Sequence, residues 1–264
     1  MTTKATKYTY LDTMGIPAWE SRETVSAAES PAPFVVTPVP DAPDMPARGE
    51  EMAPEAAASA GEGIATPAEW EGLRAQVSAC LACELHKTRT QTVFGTGSVN
   101  ADWMLIGEAP GADEDRQGEP FVGRAGRLLN AMLEAIGLSR EEVYIANILK
   151  CRPPRNRDPE PAEVLACESF LLRQIALINP RIILAVGRIA AQNLLARTTP
   201  IGQMRTRRFT FRDTGIPVVV TYHPAYFLRS PLQKRRGWED LLFARSVYAE
   251  GKCKSPIVSH NEAP

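Results

Sequence analysis

Arg181-Ile-Ile-Leu-Ala-Val-Gly-Arg-Ile-Ala-Ala-Gln-Asn-Leu-Leu195 decides the fold class. Arg181 to Val186 reads as a short buried strand, and Arg188 to about Leu195 as a helix. The same alternation recurs on both sides. Trp103-Met-Leu-Ile106 reads as a strand, Arg124 to Leu138 as a helix, Val143 to Leu149 as a strand, and Pro161 to Ile178 as a helix. Leu128, Leu129, Met132, Leu133 and Ile136 keep helical spacing, and Gly137 falls near that helix's end. Pro217 to Tyr222 gives a fourth strand, and Trp238 to Tyr248 a last helix. Strands separated by helices predict a mainly parallel sheet covered on both faces. The expected fold is α/β: a three-layer α/β/α sandwich with a central four-stranded sheet.

In open sheets of this kind, ligands sit outside the carboxyl ends of the strands. Three loops occupy that edge: Gly107-Glu-Ala-Pro-Gly-Ala-Asp-Glu-Asp115, Asn147-Ile-Leu-Lys-Cys-Arg-Pro-Pro154 and His223-Pro-Ala-Tyr-Phe-Leu-Arg229. One site assembled from three distant segments is a stronger signal than any of them alone.

The remaining chain is organised differently. Residues 20–66 hold two Arg against nine Asp or Glu, and eight prolines run from Pro31 to Pro67. So polar a segment buries too little surface to offset its ordering entropy, and it reads as a disordered acidic linker. Residues 1–19 form a short apolar motif ahead of it. Residues 67–249 form the folded domain, opening on a helix from Pro67 to Cys80 with Trp70, Leu73 and Val77 on one face. Residues 250–264 read as a flexible tail. Overall, 44% hydrophobic and 23% charged residues suit a globular protein. The net charge of −1 conceals a basic body behind the acidic linker, which is compatible with a polyanionic partner. The start lacks the apolar core of a signal peptide, and no apolar run approaches the ~20 residues that span a bilayer. The expected location is cytoplasmic, with no membrane contact.

That compartment disfavours structural disulfides, so the five cysteines need another role. Cys80-Leu-Ala-Cys83 is a C-x2-C pair, with Cys151 and Cys167 far downstream and Cys253 in a polar tail. Four thiolates suit either zinc or an iron–sulfur cluster, and spacing does not separate them.

Together these segments resemble a known family. Cys80-x2-Cys83, Gly107-Glu-Ala-Pro-Gly111, Phe121-Val-Gly-Arg-Ala-Gly126, Asn147-x3-Cys151-Arg-Pro-Pro154, Cys167 and His223-Pro-Ala-Tyr226 are similar, in order and spacing, to the family 4 uracil-DNA glycosylases. The resemblance covers roughly residues 68–248. It implies base excision repair: uracil is flipped out of DNA and its N-glycosidic bond hydrolysed, leaving an abasic site. It assigns Cys80, Cys83, Cys151 and Cys167 to a 4Fe-4S cluster, with no counterpart for Cys253. It makes Phe121 the residue stacking on uracil and Gly107 part of the uracil site. Asn147 would accept from uracil N3–H and donate to O4, a pattern cytosine reverses. His223 resembles the residue that contacts uracil O2, where charge develops on cleavage.

Water activation is less defined. In another branch of the superfamily an Asp follows the Gly-Gln pair of the first motif and orients water; Ala109 stands there. Glu108 is then the nearest carboxylate, while Asp113, Glu114 and Asp115 shape the pocket or cap a helix. Three basic groups are available for phosphates: Arg152, Arg155 and Arg157; Arg205, Arg207, Arg208 and Arg212; and Arg229, Lys234, Arg235 and Arg236. Leu228 or Phe227 would wedge into the base stack. The expected partner is uracil-containing DNA, single- or double-stranded, met by a monomer associated with the bacterial nucleoid. Residues 8–19 look like the N-terminal peptide of the psi subunit of bacterial DNA polymerase III, which implies a clamp-loader contact at the replisome.

Three other readings compete. A non-catalytic, cluster-bearing DNA sensor shares these features. A zinc nuclease or phosphoesterase lacks support from any acidic and His constellation. A superfamily member trapped covalently on uracil-DNA is disfavoured by Ala109 and by the presence of only three His, at 86, 223 and 260.

Overall fold

The structure is a computed structural model that describes residues 66–253. The apolar motif of residues 8–19, nearly all of the acidic linker and the end of the tail lie outside the described residues. The first helix, α1 (Pro67–Ser78), starts on a capping box. The Thr66 hydroxyl accepts from the Glu69 amide at 3.3 Å, and the Glu69 carboxylate accepts from the Thr66 amide at 2.8 Å. A cap of this kind stabilises the helix by about 1 kcal/mol.

The sheet contains six strands: β1 (Thr96–Gly97), β2 (Trp103–Gly107), β3 (Tyr144–Asn147), β4 (Ile182–Val186), β5 (Phe209–Thr210) and β6 (Pro217–Thr221), in the order β1-β3-β2-β4-β6-β5. The four expected strands are the inner ones, and they are parallel. The expectation of four strands is corrected by β1 and β5, which pair antiparallel along the two edges. Each is two residues long, too short for any alternating pattern to show in the sequence.

Seven further helices complete the layers: α2 (Ala112–Gln117), α3 (Arg124–Ala135), α4 (Pro161–Ile178), α5 (Arg188–Leu194), α6 (Ile201–Met204), α7 (Pro224–Arg229) and α8 (Lys234–Cys253). The last begins four residues before the expected start and runs into the stretch expected to be tail. Successive strand residues point to opposite faces. Met104, Ile106, Tyr144, Ile183 and Val220 therefore pack with α1, α4 and α5, around Leu73, Leu171, Ile175 and Ala191. Trp103, Leu105, Ile145, Leu184 and Val219 pack on the other face with α3, α7 and α8, around Leu129, Met132, Phe227 and Leu241. Two cores thus hold the inner strands rigid. Their carboxyl ends, at Gly107, Asn147, Val186 and Thr221, meet on one edge.

Candidate active site

A cleft of about 480 Å³ opens at that edge. Its walls include Glu108 to Gly111 and Glu114 after β2, Phe121 and Ala125 before and within α3, Pro153, Asn156 and Arg157 after β3, and His223, Ala225 and Arg229 after β6. The three predicted loops therefore converge.

Gly107 and Asn147 are register partners across β2 and β3, and both sit deep beside Phe121. A Cβ on Gly107 would overlap Asn147 Oδ1 outright and lie 2.7 and 2.8 Å from Phe121 Cζ and Cε2. The carboxamide and the ring are pressed over a residue that has room for nothing but hydrogen. Asn147 is 2% exposed, and its Oδ1 has no hydrogen-bond partner. A buried amide oxygen left unpaired is uncommon and costs about 1–3 kcal/mol.

Phe121 is held in the left-handed region at φ 53°. For a bulky residue that backbone is strained and persists where neighbours over-determine it. Three contacts do so. Glu114 Oε1 accepts from the amides of Val122 and Gly123 at 3.1 and 3.2 Å, while Oε2 accepts from the Gly111 amide at 3.1 Å. The Arg140 guanidinium donates to the carbonyls of Pro120 and Phe121. A Cβ on Gly126 would overlap the Phe121 carbonyl, so α3 packs hard against this turn. The Phe121 ring stacks on the His223 ring, with centroids 5.4 Å apart and planes 27° apart.

His223 caps α7. Its Nδ1 accepts from the Ala225 amide at 3.2 Å. That bond leaves the ring proton on Nε2. Burial, with the Arg229 charge adding to it, pushes the His223 pKa down to about 4. The ring is thus a neutral Nε2–H donor at pH 7. Glu108 is half-buried, and burial pushes its pKa up to about 7, with Asp158 adding to the rise and Arg188 opposing it.

A second, far smaller cavity of about 10 Å³ lies under the loop after β3. Cys80, Cys83, Cys151 and Cys167 all line it, brought from the end of α1, from the loop after β3 and from α4. Among the described residues no three His, Cys, Asp or Glu side chains close on a point as the ligands of one ion would. The sulfurs instead receive N–H groups: Arg89 Nη1 reaches Cys151 Sγ at 3.1 Å, and the Lys150 amide reaches Cys167 Sγ at 3.3 Å. Cys253 lies at the end of α8.

Sequence reasoning missed the Glu114 and Arg140 clamp on Phe121. Its trace was Gly111-x-x-Glu114, half of a helix-start signature whose helix lacks an apolar stripe. Three basic expectations change too. Arg205 is held by the buried Asp240 carboxylate at 2.8 Å, Arg212 pairs with Glu168, and Arg157 pairs with Glu163 at 2.6 Å. Phe227 is fully buried in the core, which removes it as a wedge.

A family profile described as the uracil DNA glycosylase superfamily matches residues 94–242. The chain is 47% identical over 170 residues to the type-4 uracil-DNA glycosylase of Archaeoglobus fulgidus, covering 62% of this chain and 85% of the relative. It is 46% identical over 163 residues to that of Saccharolobus solfataricus, covering 59% and 76% of the two chains. It is 44% identical over 156 residues to that of Thermotoga maritima, covering 59% and 81%. The profile match over residues 94–242 and these identities leave one assignment: the chain belongs to the uracil-DNA glycosylase superfamily, among its type-4 members.

Proposed function

We propose that this protein excises uracil from DNA by hydrolysing its N-glycosidic bond, releasing the free base and leaving an abasic site. The observation that carries the reading is the buried, unpartnered Asn147 amide oxygen beside Phe121, at the edge where His223 presents a neutral N–H.

Uracil stacked in a duplex is inaccessible and has to leave the helix, at a cost of a few kcal/mol. In the cleft, the Phe121 ring supplies a flat apolar face. Asn147 accepts from N3–H through the oxygen that now has no partner and donates to O4 through its amide nitrogen. Cytosine offers the opposite pattern and leaves both groups unpaired, which discriminates strongly. Bond cleavage places negative charge on the departing base. The His223 Nε2–H hydrogen bond to O2 strengthens as that charge grows, so it favours the transition state over the ground state. Glu108, with a pKa near 7, supplies a carboxylate that orients and deprotonates the attacking water. Glu114 and Arg140 hold Phe121 in register without touching the base. Arg229 on the cleft wall faces the phosphates. With Phe227 buried, Leu228 stays as the expected apolar wedge, and Leu232, 89% exposed in the turn that follows α7, is a second candidate.

The four cysteines fit a 4Fe-4S cluster. They surround a cavity rather than a point, all four donors are sulfur, and two N–H groups are aimed at them, as sulfurs of an anionic centre require. When bound, the cluster cross-links α1, α4 and the loop after β3, which carries Asn147 at its start.

The test uses the full chain and a uracil-containing oligonucleotide, followed by alkali. Strand breaks that appear only after alkali are expected. A stable shifted complex without breaks would instead favour a binding or trapping protein, and breaks before alkali would show lyase or nuclease action.

A further inference from the structure

Lys150 is 1% exposed and lies between the two sites. Its Nζ donates to the Asn147 carbonyl at 2.9 Å and to Gln174 Oε1 at 2.6 Å. Gln174, itself fully buried, passes the contact on to the Phe94 carbonyl at 2.9 Å and the Tyr144 hydroxyl at 3.2 Å. The Lys150 backbone amide donates to Cys167 Sγ, and its carbonyl accepts from the Val93 amide at 2.7 Å. One residue therefore touches the peptide of the base reader with its head group and a cluster cysteine with its backbone.

No carboxylate pairs with Lys150 among the described residues; its Nζ meets only the Asn147 carbonyl and the Gln174 amide oxygen there. A buried ammonium without a counter-charge is costly and is normally paired or replaced. Its two acceptors are neutral amide oxygens. They satisfy donors but bring no net charge. Four thiolates on a 4Fe-4S core would make a net anion, and two of those cysteines are at hand: Cys151 follows Lys150 in the chain, and Cys167 Sγ accepts from the Lys150 amide at 3.3 Å.

We propose that Lys150 is a positioning residue that couples the cluster to the base pocket: the anionic thiolate cluster holds the buried ammonium, and the ammonium holds the Asn147 peptide. The inference rests on the functional reading above, because it needs both the cluster and the role of Asn147. It explains why so polar a chain of residues, Lys150, Gln174 and Tyr144, crosses an otherwise apolar layer. It also gives the cluster a consequence for base recognition with no electron transfer in the reaction.

The test compares full-length wild type with Lys150→Met and Lys150→Arg, all purified anaerobically. Two quantities are measured: the cluster's reduction potential and the kcat and KM for uracil-DNA. Net charge near a cluster is one of the terms that set its potential. Removing the cation should shift the Lys150→Met potential to more negative values, and Lys150→Arg should restore it. Excision at saturating DNA should fall at least about tenfold in Lys150→Met, since a displaced Asn147 misaligns the base. KM for DNA should stay near wild type, because phosphate contacts are untouched. Should Lys150→Met fail to fold, Gln174→Met removes one acceptor while keeping the charge; a wild-type potential with lowered kcat is expected, and a wild-type kcat overturns the coupling. An iron-bearing, uracil-excising wild type beside a Lys150→Met of unchanged potential refutes this inference alone. A wild type that holds no iron or leaves uracil in DNA refutes the functional reading and this inference with it.

Discussion

Gly107→Ala is the smallest change that reaches the base pocket. The added methyl would overlap Asn147 Oδ1 and stand 2.7 and 2.8 Å from two Phe121 ring carbons. Ordinary carbon contacts lie at about 3.5–4.0 Å. The ring or the carboxamide, or both, therefore has to move by roughly 1 Å. Neither can tilt freely: Phe121 is clamped by Glu114 and Arg140, and Asn147 by its β2 and Lys150 neighbours. Overpacking of this kind costs about 1–3 kcal/mol of stability, which leaves a typical domain folded. A 1 Å misplacement of a positioning group costs about 100-fold in rate. The assay is single-turnover excision from a uracil oligonucleotide, with thermal unfolding measured in parallel. Gly72→Ala serves as control, since a Cβ there meets nothing within 4 Å. It should keep wild-type excision. A folded Gly107→Ala that excises within twofold of wild type would show that uracil is not read where Asn147 and Phe121 meet.

Asn147→Asp should lower uracil excision at least about 100-fold, since a carboxylate cannot donate to O4, and a protonated Asp should give weak excision of cytosine; a wild-type rate for Asn147→Ala on uracil-DNA would remove it as the base reader. With the Glu108 pKa raised to about 7, excision should climb through neutral pH as the carboxylate ionises, and Glu108→Gln should flatten that rise. The same shift sets a sign for stability: the folded state holds the Glu108 proton longer than the unfolded chain, so this group's contribution falls as pH rises from about 4.5 to about 7, and Glu108→Gln should remove the decline in Tm. His223, pushed down to about 4, acts the other way, and its contribution is lost as pH falls from about 6.5 through 4. Cys151→Ser should cost the brown absorption near ~400 nm and the thermal stability together, whereas a colourless, anaerobically purified wild type with one tightly bound zinc would overturn the cluster.

The inner strands were legible because each is a compact apolar run between helices, and the strand-end rule then placed three loops at one edge. Asn147 stood out as an amide ending an apolar strand. Other features have no sequence signal because they depend on what a residue meets. Arg205 reads as one of a basic group, yet its guanidinium spans Asp240 and stacks over Tyr222. Phe227 reads as an exposed turn residue, but Pro224–Arg229 coils into a helix whose inner side drops that ring into the core. The α2 helix hides in an acidic run because glycines end it, at Gly111 and at the left-handed Gly118, without any apolar face. Which ring nitrogen of His223 carries the proton follows from one backbone amide, Ala225, and from nothing in the order of residues.

The two-residue edge strands have a consequence for the protein in a crowded solution. Four inner strands this apolar would, with β3 and β6 left bare, present rows of unpaired backbone groups on which another molecule's strand could add. Thr96–Gly97 and Phe209–Thr210 cover part of those rows and are themselves too short to template a partner. Arg207, exposed just before β5, adds like charge between two approaching copies, whereas its neighbour Arg208 is paired with Glu250 at 3.4 Å. Replacing Arg207 by an uncharged residue should raise turbidity on heating before it weakens binding to DNA.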